Sequence, residues 1–379
     1  MPSAVTERTT QPDISYHPDF KKYQLRTERI KARLPQGVKL PPKFPEKLTG
    51  PLVWEGKDFT DERDWTFVLS DAQLKEIHDA LVHFKCKPST APLFSLLIGI
   101  LALEKPIAHV SQATFPLPSL SPPLRAEARI LQSGRGFFVL RGLQPDNYSV
   151  EDNIIIYAGV SSYIGSVRGR QDTKIIDGIK RSSMLNHIKD LSKTSVAGKI
   201  GAPAYTTDKQ VFHTDAGDIV SLFSLNTAAK GGESKLASAW RVYNELATTR
   251  PDIIKTLSED WDFDGYGNPE KPYSSRPLLF HTEATSTSPD HVVINYARRG
   301  FTGFLHLPRS TSIPPITEAQ AEALDALHFL ADRFSLRLDF QKGDVQYVNN
   351  MSIFHARNEF TDSPGQEYAL TNVFNGTDY

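Results

Sequence analysis

His213-Thr214-Asp215, with His355 far downstream, offers two imidazoles and one carboxylate. On a strand, residues two apart point to the same face, so His213 and Asp215 can converge on one ion. A second histidine brought beside them would complete one triangular face of an octahedral metal. Three positions would then stay open for a cosubstrate and O₂, the donor set of non-haem Fe(II) oxygenases. The tripeptide by itself is unspecific. With 11 His and 44 acidic residues in 379, chance yields on the order of one H-x-[DE]. This chain has two, the second being His281-Thr282-Glu283. On spacing alone, His213 could equally be an ordinary strand histidine and Asp215 a turn acid. The second motif runs into Ala284-Thr285-Ser286-Thr287-Ser288-Pro289-Asp290, which reads as a polar hairpin tip where a ligand would face water.

Two sets of elements must position these groups. Ser70-Asp71-Ala72-Gln73 is a capping box followed by Leu74, Ile77, Leu81 and Phe84 at helical spacing, so a helix is expected to end near Lys85. Gly134–Leu143 is apolar and Gly-bounded, as a buried strand would be, and a helix over Asp152–Ile164 would cover it. From Val211 onward the pattern turns to strands at Asp218–Leu225, His291–Tyr296, Leu336–Phe340 and Asp344–Val348. Thr317-Glu318-Ala319-Gln320 opens a second capped helix through Phe334. The segment before His355 reads as a strand that could return beside the one carrying His213. Residues 1–47 are rich in Pro, Lys and Arg and read as a surface arm, leaving 48–379 as one α+β domain: a β-sandwich or jelly roll braced by helices.

Composition narrows the function classes. The charge is balanced, 43 basic against 44 acidic residues, and no basic run is present, which argues against nucleic acid or an anionic membrane as partner. The one cysteine, Cys86, excludes an internal disulfide or a Cys-based metal site, fits a reducing compartment, and carries no nucleophile signature around it. The longest apolar run, Pro92–Leu103, is shorter than the roughly twenty residues that span a bilayer. The polar N-terminus shows no signal peptide, and a cytoplasmic protein is the expectation.

Several longer motifs carry a resemblance. Gln210–Asp215 (QVFHTD), Gly231-Gly232-Glu233-Ser234 and Lys342–Ala356 (KGDVQYVNNMSIFHA) resemble the fungal branch of the TauD/TfdA, or clavaminate synthase-like, Fe(II)/2-oxoglutarate oxygenases. So do Gly134–Leu143, Arg168–Asp172, Arg298–Phe304 and Leu338–Asp344, in the family's order from about Leu48 to Pro364. The resemblance implies a double-stranded β-helix with Fe(II) held by His213, Asp215 and His355, and it passes over His281. It implies 2-oxoglutarate as cosubstrate beside Ser234, whose hydroxyl can hydrogen-bond a carboxylate oxygen. Arg298, read as a strand residue next to Gly300, would meet a substrate carboxylate. The implied reaction consumes O₂, turns 2-oxoglutarate into succinate and oxidises a C–H bond of a small molecule, in the setting of secondary metabolism.

The chain also departs from that pattern. The family places an Arg on the final strand to pair with the far carboxylate of 2-oxoglutarate; here Tyr368 and Asn372 stand in that region, and no Lys or Arg follows Arg357. Losing such a charge pair costs a ligand about 2–5 kcal/mol. Residues 86–101 and 173–183 interrupt the match as insertions. The alternative function is therefore a metal-binding pseudo-enzyme without its 2-oxoglutarate anchor. A zinc hydrolase on the same three ligands is the weaker reading, since no second general base is marked nearby.

Overall fold

The structure is a computed structural model describing residues 10–86, 107–170, 172–176, 179–264, 270–285, 290–365 and 367–376. Eight helices lie among them: α1 (Phe20–Lys31), α2 (Asp71–Cys86), α3 (Ser121–Ser133), α4 (Val150–Ser161), α5 (Ala239–Thr249), α6 (Pro251–Ser258), α7 (Arg299–Thr302) and α8 (Glu318–Phe334). Two sheets carry the site. The larger is built from β1 (Thr66–Val68), β2 (Phe137–Arg141), β3 (Val167–Arg168), β4 (Leu185–Ile188), β6 (Ile219–Asn226), β9 (Val345–Asn349) and β11 (Ala369–Gly376). Its order is β1-β2-β9-β6-β11-β3, with β4 also paired to β11. The smaller sheet runs β8 (Leu336–Leu338), β7 (Ser234–Ser238), β10 (Ile353–Arg357) and β5 (Gln210–His213).

Side-chain alternation along β2 shows how the layers form. Phe137 and Val139 point into a cluster shared with Leu236, Leu338 and Ile353 of the smaller sheet. Phe138 and Leu140 point the other way, into a cluster with Ile77, Leu81, Leu124 and Ile156 of α2, α3 and α4. Both faces of β2 are thus covered, which is why its sequence is apolar throughout rather than alternating. The smaller sheet is backed in the same manner: Phe212, Ala237, Phe354 and Ala356 pack on α5, α6 and α8. Its other face, carrying His213, Ser234, His355 and Arg357, therefore turns to the space between the sheets.

Both capping boxes form. Gln73 N–H donates to Ser70 Oγ (3.4 Å) and Gln320 N–H to Thr317 Oγ1 (3.1 Å), with each Gln side chain accepting from its cap residue's N–H. Helix α4 begins at Val150, ahead of the expected Asp152, because Ser149 accepts from Asp152 N–H and caps it. The turn into β9 needs Gly343: its φ is +88°, and a Cβ there would lie 1.9 Å from Leu143 O. Of the expected insertion 173–183, the described residues belong to an antiparallel pair, Asp172–Ile176 with Ile179–Ser183. The other expected insertion, 86–101, lies outside the described residues after Cys86.

The N-terminal arm is docked rather than lying loosely on the surface. Helix α1 packs on α8, and Arg26, 4% exposed, reaches Asp325 at 2.6 Å and Glu318 at 2.9 Å. A low content of apolar residues hid this, because the anchor is a buried ion pair. Among the described residues no helix is long and apolar enough to cross a membrane.

Candidate metal centre

β5 and β10 are neighbours, and His213 and His355 are direct register partners. Their ring centroids are 4.2 Å apart. Asp215 lies two residues past the end of β5 and sends one carboxylate oxygen to each ring: Oδ1 is 3.7 Å from His213 Nε2, and Oδ2 is 3.2 Å from His355 Nε2. The three candidate ligand atoms lie within 4.8 Å of one another. Ligand atoms about 2.1 Å from an ion sit about 3 Å apart along an octahedral edge, so small side-chain adjustments bring all three onto one cation. Two imidazoles and a carboxylate on one face match the donor set of a facial Fe(II) site.

Local bonding prepares the ligands. His213 Nδ1 donates to Val211 O at 2.9 Å, which fixes the tautomer and leaves the Nε2 lone pair directed inward. Gln210 Nε2 lies 3.0 Å from that nitrogen, a contact that an ion would replace. Gln210 reaches the inner side because the ladder bulges here: His355 pairs with His213, but Arg357 pairs with Gln210. Burial, followed by the His355 charge, pushes the His213 imidazole down to about 4. Burial opposes ionisation of Asp215, yet the hydrogen bond from His355 and the charges of both histidines and Arg299 outweigh it, holding the carboxyl at about 2. His213 and Asp215 are therefore deprotonated and ready for a cation at neutral pH.

The bend carrying Asp215 is clamped from a distant segment. Asn350, 1% exposed, accepts from Asp215 N–H at 2.9 Å and donates to Asp215 O and Gly217 O, each at 2.8 Å. Thr214 N–H donates to Tyr296 O at 2.8 Å, and Tyr296 N–H donates to Thr214 Oγ1 at 2.9 Å. Sequence reasoning did not single out Asn350; its only signal is the polar pair Asn349-Asn350 between two apolar strands.

Two cavities open on the triad. The smaller is lined by Asp215, His355, Ser234, Arg357, Tyr368 and Leu370, among others. Ser234 is buried there, opposite Arg357 in the β7–β10 register. Arg357 Nη2 donates to the carbonyls of Pro203, Thr206 and Asp208, the Tyr368 hydroxyl is a further side-chain partner of the guanidinium, and no well-aligned acceptor faces the buried Nε and Nη1. A buried cation with unspent donors and a hydroxyl beside an open-faced metal triad fit a dicarboxylate such as 2-oxoglutarate. The larger cavity, about 910 Å³, is bordered by His213, Asp215, Tyr16, His187, Lys199 and Arg299.

Arg298 is not a strand residue. It has helical φ and ψ and precedes α7, which Gly303 ends at φ +68°. It is 2% exposed, its Nη2 paired with Asp325 at 2.7 Å and its Nε donating to Ser15 O at 2.8 Å. It also borders the larger cavity, and its Nη1 is buried without a hydrogen-bond partner. Arg299, bonded to Gly201 O at 2.7 Å, is the neighbour whose charge reaches Asp215. His281 stands apart from the triad: it pairs with Asp290 at 2.9 Å across a two-stranded hairpin, and Glu283 pairs with Lys43 at 3.0 Å.

Comparison with known proteins agrees with this geometry. Residues 103–371 match the family described as taurine catabolism dioxygenase TauD, TfdA family. The chain is 37% identical over 331 residues to the taurine hydroxylase-like protein SAT17 of Stachybotrys chartarum, covering 85% of this chain and 77% of that one. It is 24% identical over 321 residues to FR-33289 synthase of Streptomyces rubellomurinus, covering 83% and 85%. Among solved structures, asparagine oxygenase with Fe(II), hydroxyasparagine and succinate superposes with a TM-score of 0.58 at 13% identity, covering 82% of this chain and 93% of that one. The non-haem iron oxygenase OrfP with Fe and alpha-ketoglutaric acid gives 0.53 at 14% identity, covering 83% and 94%. At those identities the structural likeness is one of fold.

Proposed function

The chain belongs to the TauD/TfdA family of Fe(II)- and 2-oxoglutarate-dependent dioxygenases, and from that premise we propose that it oxidises a C–H bond of a small, anionic metabolite in a secondary-metabolic sequence. The two facing sheets are read as the double-stranded β-helix. His213, Asp215 and His355 are assigned as the ligands of Fe(II), and the observation that carries the assignment is their convergence within 4.8 Å on the inner side of adjacent strands. Bound iron would supply O₂ activation coupled to decarboxylation of 2-oxoglutarate to succinate.

The residues of this chain do the rest. The carboxylate and the two imidazoles fill one face of the ion and leave the other open. Ser234 faces the smaller cavity, where its hydroxyl can donate to 2-oxoglutarate. The larger cavity receives the substrate. Lys199 and Arg299 place positive charge on its border, which favours a substrate carrying a carboxylate or another anionic group. Arg298, ion-paired to Asp325, holds the backbone from which Arg299 projects. FR-33289 synthase, a named relative, is a synthase of a microbial product, which supports a biosynthetic setting.

The test is an anaerobic load with Fe(II) and 2-oxoglutarate, followed by O₂, with succinate measured as product. Succinate formation at one equivalent or more per protein is the expected result. Iron binding without any succinate would favour the non-catalytic alternative.

A further inference from the structure

We infer that Arg357, two residues beyond the distal histidine on the same strand, grips the far carboxylate of 2-oxoglutarate and replaces the arginine that the last strand lacks. The inference rests on the reading of the chain as 2-oxoglutarate-dependent. It begins with a buried charge. Arg357 is 6% exposed, and its contacts are the carbonyls of Pro203, Thr206 and Asp208 and the rings of Phe360 and Tyr368, 4.7 and 5.4 Å from Cζ. Carbonyl oxygens satisfy Nη2 and the Tyr368 hydroxyl also interacts with the guanidinium, but no well-aligned acceptor completes Nε and Nη1, which are buried. A guanidinium left with unspent donors inside a protein is costly unless an anion completes its shell.

Placement selects the anion. Arg357 and His355 alternate with the apolar Phe354 and Ala356, which pack on the helices, so both side chains enter the space between the sheets. Across the ladder Ser234 is the direct partner of Arg357, and Leu236 that of His355. The cation and the hydroxyl therefore lie side by side, one strand step from an iron ligand. A five-carbon diacid that chelated iron through its keto acid beside His355 would have its other carboxylate free to meet this pair.

The missing arginine fits the same account. Tyr368, in the region where the family's cation is expected, is buried, packs at a tilt on Phe360 with centroids 4.6 Å apart, and offers its ring to Arg357. The residue just before the last strand thus supplies a platform for the guanidinium, and the facing sheet supplies the guanidinium itself. The charge enters the same pocket from the opposite wall.

The experiment follows the visible charge-transfer absorption that a 2-oxo acid gives on chelating Fe(II), under anaerobic conditions. 2-Oxoglutarate is compared with 2-oxobutyrate, which lacks the far carboxylate. Wild-type protein is expected to prefer 2-oxoglutarate. Arg357→Met is expected to weaken 2-oxoglutarate about 30-fold or more, the lower range for removing one partner of a buried charge pair, and to leave 2-oxobutyrate unchanged. Unaltered affinity for 2-oxoglutarate in Arg357→Met overturns the inference; no chelate band with either acid in wild-type protein overturns the 2-oxoglutarate reading beneath it. Because Arg357 also ties down residues 203–208, a measurement on unmutated protein stands beside the variant. In crystals with Mn(II) and 2-oxoglutarate, the far carboxylate is expected within about 3.2 Å of Arg357 Nη1 or Nε, and a carboxylate held by other residues overturns the assignment.

Discussion

Asn350 and Asp215, 135 residues apart, are joined by two hydrogen bonds: Asp215 N–H donates to the amide oxygen, and the amide nitrogen donates to Asp215 O. The side chain of one loop thereby completes the backbone bonding of another. Because the amide also takes Gly217 O, it fixes the bend in which the carboxylate ligand stands.

Asn350→Ala frees that bend while leaving all three ligands in place. Removing groups that orient metal ligands costs about 10- to 100-fold in affinity. We expect a loss of that size in an Fe(II) or Mn(II) titration, with less than a proportionate change in thermal unfolding. Unaltered metal affinity would show that the bend holds itself.

Asp215→Ala removes the only carboxylate of the triad and leaves two imidazoles. Stoichiometric iron should be lost, measured as metal per protein after desalting. Iron retained at one equivalent would refute the ligand assignment.

His281→Ala is the contrasting case. His281 has Asp290 as partner on a hairpin and takes no part in the cluster. Metal stoichiometry and 2-oxoglutarate-dependent succinate formation should match wild type, and a fall in either would return the second H-x-[DE] motif to consideration.

Asp325→Ala tests the brace behind the cavity. The carboxylate lies between Arg26 at 2.6 Å and Arg298 at 2.7 Å, all three residues buried. Its removal leaves Arg298 without a carboxylate and Arg26 with Glu318 alone, so urea unfolding should report a loss of about 3–5 kcal/mol, the usual cost of breaking a buried pair. A loss under about 1 kcal/mol would mean that water enters and solvates the arginines.

Local pattern made the triad a candidate, with His213 and Asp215 two apart and an apolar run before His355, but only the longer motifs around it singled it out, and Asp215 stands past the end of its strand. The helices with capping boxes were equally plain, since Ser70 and Thr317 bond groups three residues away. Arg357 was different. Its type and place were visible, but its unspent donors depend on which carbonyls the 203–208 segment presents, and that follows from tertiary packing. Arg298 misled for a related reason. Arg-Arg-Gly-Phe-Thr-Gly-Phe suits a strand by composition, whereas the chain makes a single helical turn there, ended by Gly303. Asn350 had no local signature, because both atoms it satisfies belong to a loop far away in the chain.

The arm that carries Tyr16 and Arg26 has a consequence for the order of events at the ribosome. Gln11 donates to Phe301 O, Arg26 bonds Asp325, and Tyr16 Oη accepts from Val211 N–H, contacts spanning 290, 299 and 195 residues. These residues are thus held by partners that lie 195 to 299 residues further along the chain and are synthesised well after them. An interval in which this cationic stretch is without those partners is built into synthesis of this protein. Slow appearance of metal-binding capacity after release of the finished chain is the signature to look for.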